Sequence, residues 1–425
     1  MHIQQVTIKN FRCFEELTVN LNPDINIFVG DNGSGKSAVL DAIAAAMFPY
    51  ISQSREVKEY RDRDPVTVFQ RDLPVRNDSK FMEFATSIKN RILLQMIYSK
   101  GHTDDENAML EMDSEFLHDT NQTIDYCQQP ELFVLTYYKA NRNLINIIDL
   151  DNILNQSFSR FDALKNAFDA TASFPDLANW LFVREFQELR EGKKRGDINF
   201  ELPDLKQVRK AISTIIAPNA RVYFAQTTSA KLMVEWETEA GEKIELSLNQ
   251  LSSGYRNMLA LVMDFARRLA QANPQMENPL EAEAVLMIDE LDLHLHPTWQ
   301  QKIIPDLRKV FPNTQIIATT HSPEIVTTVK RHQVKILEDY QIKECPSPTR
   351  GMKSSDIVRY VLGLDNLRPD TEESRTLTAL FEAIDNGNLE EAKRLRDKLQ
   401  DWKSFDPDIT RADMQIRRLE REMTA

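Results

Sequence analysis

Eight residues constrain this chain more than any others. Gly30-Asp31-Asn32-Gly33-Ser34-Gly35-Lys36-Ser37 fits the G-x-x-x-x-G-K-[ST] phosphate-binding pattern at every fixed position. The apolar run Ile25–Val29 before it reads as a buried strand, and residues 37–48 after it, rich in Ala and Leu, read as a helix. Strand, glycine-rich turn and helix start is the arrangement in which backbone N–H groups and a helix N-terminus hold phosphate. Glycines there permit positive φ and close backbone approach. The expectation is that Gly30, Asn32, Gly33, Ser34 and Gly35 cradle phosphates, that Lys36 reaches the β- and γ-phosphates, and that the Ser37 hydroxyl ligates Mg²⁺.

Around this loop the chain reads as an ordinary globular protein. At 425 residues it has room for two or three domains, or one large domain with insertions. With 42% hydrophobic and 28% charged residues, and no apolar run near about 18 residues, it shows no membrane span. The first residues (HIQQVTI) are strand-like and contain no secretory apolar region. Cys13, Cys127 and Cys345 are far apart and form no CxxC pair, which points to a reducing, cytoplasmic setting without a disulfide framework or zinc site. A net charge of −13 excludes a globally basic nucleic-acid binder but leaves room for a local basic patch.

Residues 2–9 and 17–21 alternate apolar and polar, as half-buried antiparallel strands do. Residues 55–80 read as polar loop with one short strand, and 91–98 and 132–138 as strands. Over 143–220 apolar residues recur at helical spacing: Phe158, Phe161, Leu164 and Phe168, then Leu177, Trp180, Leu181, Phe182, Phe186 and Leu189. Within that helical insertion, 191–196 (EGKKRG) reads as a basic loop, either a solvated turn or a phosphate-backbone contact. Strand patterning returns over 221–248, with Ala240-Gly241 as a hairpin turn.

Three later stretches complete a site. Leu251-Ser252-Ser253-Gly254 opens an amphipathic helix over 258–270, placing hydroxyls and N–H groups at a positive helix end. Residues 284–290 (AVLMIDE) form an apolar strand ending in two carboxylates: Asp289 suits Mg²⁺, and Glu290 suits a general base for the attacking water. Residues 315–321 form another buried strand ending in His321, placed to hydrogen-bond a γ-phosphate. His294 and His296 form an HxH pair, readable as a metal site or as part of an interface loop.

This ordered series resembles the ATP-binding-cassette ATPases, and the opening IKNFRCF resembles their RecF/SMC branch, over roughly residues 1–340. The resemblance implies an α/β P-loop fold with a mixed sheet. It implies ATP and Mg²⁺ as ligands, and two copies that sandwich nucleotide head to tail. Ser252, Ser253 and Gly254 of one copy would face Lys36 and Ser37 of the other, residues 292–296 would cross the interface, and Arg12 would approach the nucleotide. The glutamine that links Mg²⁺ to the middle of such sites is assigned to Gln70, with Gln95 as the rival. Ser253 and Tyr255 stand where the commoner signature has Gly and Gln. More narrowly, LMIDELDLHLHPTWQQKIIPDL, ATTHSPEIV and the C-terminal LGLDNLRPDTEESRTLTALFEAIDNGNLEEAKRLRDKL resemble compact bacterial ATPase subunits of Septu-type and retron-associated anti-phage defence. Those act with a separately encoded nuclease, an HNH-type enzyme being favoured here.

After about residue 340 the pattern turns helical. Ser354 or Ser355 is suited to cap a short helix. Leu377, Leu380, Phe381 and Ile384 mark a longer helix ended by Asn386-Gly387, and Asp408 is suited to cap a last one. The implied organisation is an N-terminal ATPase lobe over 1–142, the insertion over 143–220, a second lobe over 221–340, and a helical region over 341–425. Asp406-Pro407-Asp408 matches the letters of a nuclease Asp-x-Asp but falls in a turn, and no HNH or PD-(D/E)xK pattern is evident. Besides the nuclease-gating switch, two alternatives stand: a RecF-like DNA clamp using Lys193, Lys194 and Arg195, and a nucleotide-held scaffold with negligible turnover.

Overall fold

The computed structural model describes residues 2–52, 81–88, 92–99, 111–113, 131–140, 158–168, 174–225, 231–238, 240–364, 366–402 and 405–424. The contacts divide the chain into two units, Met1–Leu362 and Gly363–Ala425.

The first unit opens with strands β1 (Ile3–Phe11), β2 (Phe14–Asn20) and β3 (Ile25–Val29), followed by helix α1 (Lys36–Ser52). Strands β4 (Phe81–Ile88), β5 (Ile92–Ser99), β6 (Glu111–Asp113) and β7 (Val134–Tyr138) follow. Helices α2 (Phe174–Arg195) and α3 (Pro203–Ile215) come next, then strands β8 (Arg221–Phe224), β9 (Leu232–Glu237) and β10 (Lys243–Ser247). The remainder is α4 (Ser253–Ala272), β11 (Ala284–Ile288), α5 (Pro297–Val310), β12 (Thr314–Thr319), α6 (Pro323–Val326), β13 (Val334–Glu338), β14 (Gln341–Glu344) and α7 (Ser354–Tyr360).

Three sheets result: an antiparallel β2-β1-β4-β5-β6, an antiparallel β10-β9-β8, and a central β14-β13-β3-β12-β11-β7. In the central sheet β7, β11, β12, β3 and β13 run parallel. Every residue of β3, β7, β11 and β12 is buried. That is why these strands read as continuous apolar runs, where β1 and β2 alternate. Because the strands are parallel and only one separates β3 from β11, the segments following β3, β12, β11 and β7 all leave the same sheet edge.

Two expectations in the helical insertion change. Lys193, Lys194 and Arg195 belong to the last turn of α2 and not to a loop. The helix ends at a left-handed Gly196, with Asp197 N–H donating to the Gly192 carbonyl (3.0 Å) and Gly196 N–H to that of Lys193 (3.3 Å). The three cations thus sit at the negative end of the helix dipole, where charge of that sign is favourable. Phe186 and Leu189 continue the apolar spacing but are 38% and 67% exposed; the Arg190 guanidinium covers the Phe186 ring at 5.2 Å.

The second unit holds α8 (Glu372–Asp385), α9 (Leu389–Lys398) and α10 (Pro407–Thr424). It has its own core of Leu377, Leu380, Ile384, Leu395, Leu399 and Ile416. Two caps differ from expectation. Lys353, not a serine, precedes α7, because Ser354 Oγ donates to Glu324 (2.5 Å). Asp406 accepts the Asp408 N–H (2.9 Å), and both carboxylates hold Arg368, whose guanidinium pKa they raise. Among the described residues no helix is long and apolar enough to cross a membrane.

One buried side chain stitches the antiparallel sheet to the central one. Gln315 on β12 accepts the Ile3 N–H (2.9 Å) and donates to the carbonyls of Ile3 (2.8 Å) and Asn22 (2.7 Å). Gln315→Leu keeps the size but strands these backbone groups. It should destabilise the Met1–Leu362 unit by about 3 kcal/mol, read as a shift of its urea transition.

Candidate functional site

The loop between β3 and α1 is shaped by what its backbone must pass. Gly30 has φ +148°, and a Cβ there would lie 2.3 Å from the Leu337 carbonyl oxygen of β13. Only glycine meets both conditions. Lys36 folds over the loop, its Nζ donating to the carbonyls of Gly30 (2.9 Å) and Asp31 (2.7 Å). Burial lowers the Lys36 pKa, and the charges of Asp289, Asp31, Glu290 and Asp292 oppose that shift. Asn32 and Gly33 are exposed at the loop tip. The buried Ser34 hydroxyl oxygen has no partner among the described residues.

The decisive contact joins residues 252 positions apart: Ser37 Oγ donates to Asp289 Oδ1 at 3.0 Å. Asp289 follows β11, and its N–H donates to the Tyr138 carbonyl at the end of β7 (2.9 Å). A hydroxyl and a carboxylate side by side, next to a lysine, are the hard oxygen donors and counter-charge that a divalent cation with a polyphosphate takes.

Between β3 and β11 lies β12, and its end organises the two carboxylates. Thr319 Oγ1 donates to Asp289 Oδ1 (2.6 Å) and accepts the Glu290 N–H (2.7 Å). Glu290 is held at φ +49°, a conformation costly for a side chain of its size and common at functional positions. Thr320 Oγ1 (2.5 Å) and the His321 N–H (3.2 Å) donate to Asp292. Gln300 Nε2 donates to the Leu295 carbonyl (2.8 Å) and its Oε1 accepts from Ser322 (2.7 Å). Segment 289–296 is thereby locked to 319–322, and the exposed His321 follows the strand lying between the phosphate loop and Asp289. Thr319 was not evident from sequence; its signal is a hydroxyl residue ending a strand adjacent to β11, which requires the strand order.

Other expected residues fall as follows. Arg12 pairs with Asp41 (2.5 Å), one helical turn beyond Ser37, and lies 4.9 Å from the Phe11 ring centroid. Burial, and then the charges of Asp41 and Asp289, push the Tyr137 phenol pKa well up. His296 is committed as the N-cap of α5, its Nδ1 accepting the Thr298 N–H at 3.3 Å. His294 is exposed with φ +62°. Gln70 lies outside the described residues. Gln95 sits in β5, paired with Ala85 in the antiparallel sheet.

The contacts of 252–254 run to their own helix and to the 292–296 turn. Ser252 caps α4 by accepting the Tyr255 N–H (3.4 Å). Gly254 abuts that turn so closely that a Cβ would lie 2.1 Å from the His294 carbonyl oxygen. Ser252 and Ser253 remain exposed. Tyr255, the departure from the commoner signature, packs edge-on to Trp299 at 4.6 Å and stacks with Trp236 at 6.5 Å.

Comparison with known proteins places the chain among ATPases. A family model described as an AAA ATPase domain matches residues 1–326. The chain is similar to the Retron Vc95 probable ATPase of Vibrio cholerae serotype O1 biovar El Tor, 26% identical over 93% of this chain and 86% of that protein. It is similar to the Retron Ec83 probable ATPase of Escherichia coli, 25% identical over 89% of this chain and 79% of that protein. It is also similar to the Septu protein PtuA of Bacillus thuringiensis, 24% identical over 86% of this chain and 85% of that protein.

Thr319 provides a test of the site. Thr319→Val removes one hydrogen bond to a carboxylate and one to the Glu290 N–H at nearly constant volume. Nucleotide affinity should persist while kcat falls by roughly thirtyfold, equivalent to about 2 kcal/mol. Thr319→Ser should retain most of the rate. Equal rates for Val and Ser would show that the hydroxyl is not used.

Proposed function

Since this chain belongs to the AAA ATPase domain family, we propose that it hydrolyses ATP as a two-copy switch in bacterial anti-phage defence, controlling a separately encoded nuclease of the HNH type. The ATPase reading is carried by one observation, the contact of Ser37 with Asp289 beside Lys36. The defence setting is supported by the retron and Septu relatives. The nuclease partner rests on the resemblance of the 286–307, 318–326 and C-terminal stretches to ATPase subunits of such systems.

The geometry supports the following roles. Ser37 and Asp289 are the residues that would hold Mg²⁺, which when bound supplies charge neutralisation to the phosphates. Lys36 exchanges its bonds to the Gly30 and Asp31 carbonyls for phosphate oxygens. Glu290, held by Thr319, takes the proton of the attacking water, and His321 donates to the terminal phosphate. Arg12, tied to α1 through Asp41, flanks the nucleotide. Ser252 and Ser253 are exposed at the start of α4, so they are available to the nucleotide of a second copy. Closure on ATP and opening after hydrolysis would then be a population shift between two assemblies with different affinity for nucleotide.

Three variants separate this reading from its rivals. Lys36→Ala should abolish nucleotide binding. Glu290→Gln should lower kcat about a hundredfold or more and accumulate ATP-bound dimers, measurable by light scattering. Ser252→Arg should bind ATP as a monomer and hydrolyse it poorly. A Ser252→Arg monomer with full ATPase activity would sink the two-copy switch. Negligible turnover in the unmodified protein, with assembly unchanged by Glu290→Gln, would favour a scaffold. Co-purification with the product of a neighbouring nuclease reading frame tests the partner, and its absence beside a recombination operon would count against defence.

A further inference from the structure

Helix α4 carries a charge cluster that the proposed chemistry does not use. Asp264 is fully buried at its middle. One carboxylate oxygen accepts from Arg267 (2.6 and 3.1 Å), and the other from Arg268 Nε (2.8 Å) and from the phenol of Tyr138 (2.7 Å). Arg268, also fully buried, donates onward to the carbonyls of Ala163 (2.7 Å) and Lys165 (2.8 Å). Burial alone would raise the Asp264 pKa, but Arg268 and Arg267 outweigh it and the net shift is downward. Burying three charged groups is costly unless each is paired, so the cluster must hold one geometry.

Tyr138 belongs to two structures at once. Its phenol is bound to Asp264 of α4, while its carbonyl accepts the N–H of Asp289 (2.9 Å). Ile288, the residue before Asp289, is paired with Tyr138 across β11 and β7. Ten residues, about 15 Å along the helix axis, separate Asp264 from Gly254 at the start of α4. Besides the contact of Gly254 with the His294 carbonyl, the Tyr138 side chain therefore gives a displacement of α4 a path to the backbone of Asp289.

We infer that Tyr138 is a positioning residue that couples the start of α4, where Ser252 and Ser253 are exposed, to the carboxylate of Asp289, so that engagement of the helix start by a second copy adjusts the metal-facing oxygen. The inference rests on the proposed ATPase reading and adds to it the path by which assembly and hydrolysis are linked. Tyr138→Phe is the direct probe. It removes the phenol bond but leaves the Tyr138 carbonyl in place, and Asp264 keeps both arginines.

The test uses the full chain. In steady-state assays Tyr138→Phe should lower kcat about tenfold while the KM for ATP stays within twofold and the melting temperature barely moves. Unchanged kcat, or kcat and KM worsening together with a lowered melting temperature, would reduce Tyr138 to a structural role. Hydrogen–deuterium exchange reads the link without turnover. With Mg²⁺ and a non-hydrolysable ATP analogue, the unmodified protein should gain protection in both 253–272 and 284–293, and the variant should gain as much in the first but less in the second. Equal gains in 284–293 for the two proteins overturn the inference. If the unmodified protein neither turns over ATP nor gains protection, the ATPase reading fails. The link itself is then still decided by exchange of 284–293 without nucleotide, which should be faster in Tyr138→Phe and, if equal, refutes it.

Discussion

One carboxylate oxygen, Asp289 Oδ1, accepts hydroxyls from Ser37 and from Thr319. Those three residues follow or end three neighbouring parallel strands of the central sheet, β11, β3 and β12. Much else in the unit serves to keep these strand ends in register. The strands are buried on both faces, so their alignment is set by packing as well as by ladder hydrogen bonds. Gln315, at the opposite end of β12, secures that strand to β1 and to the turn before β3. The same oxygen is thus both the keystone of the polar site and a reporter of the central sheet.

Two residues beyond this edge adopt costly backbone conformations. Glu290 and His294 adopt positive φ, and both lie in the segment clamped by Thr319, Thr320 and Gln300. Such conformations persist only where surrounding contacts over-determine them. The clamp extends to Gly254, which leaves no space between α4 and the His294 carbonyl. One glycine therefore answers a packing demand within the chain, whatever its part toward a second copy. The segment carrying Glu290 and the segment carrying the exposed serines are in direct contact, with Tyr138 and Asp264 as a second tie farther along the helix.

Much of the local chemistry was legible in order. Gly30 to Ser37, the Asp289-Glu290 pair and His321 each announce themselves by a short apolar strand and a polar exit. The AAA ATPase match and the retron and Septu relatives agree with the family and the defence resemblance drawn from those residues. Helix α8 of the C-terminal unit was legible from Leu377, Leu380 and Ile384, because a 3.6-residue period survives without tertiary information. Errors fell where a local sign has two meanings. Lys193 to Arg195 look like a basic loop, yet basic residues are also what a helix C-terminus favours. Phe186 and Leu189 keep the period of α2 but not its burial, since period marks a face and not what covers it.

The sequence by itself determined which groups are present and what each can do: a glycine-rich loop with its lysine and serine, two adjacent carboxylates at a strand end, a terminal histidine, a serine-rich helix start. These are properties of neighbours in the chain. Only the tertiary structure decided which of them meet. Strand order is a non-local choice, and it alone inserts β12 between β3 and β11, turning Thr319 from one hydroxyl among many into the group that spaces Asp289 and Glu290. It likewise sets Tyr138 against both Asp264 and Asp289, and Gly254 against His294, contacts between residues far apart in the chain that no local pattern encodes.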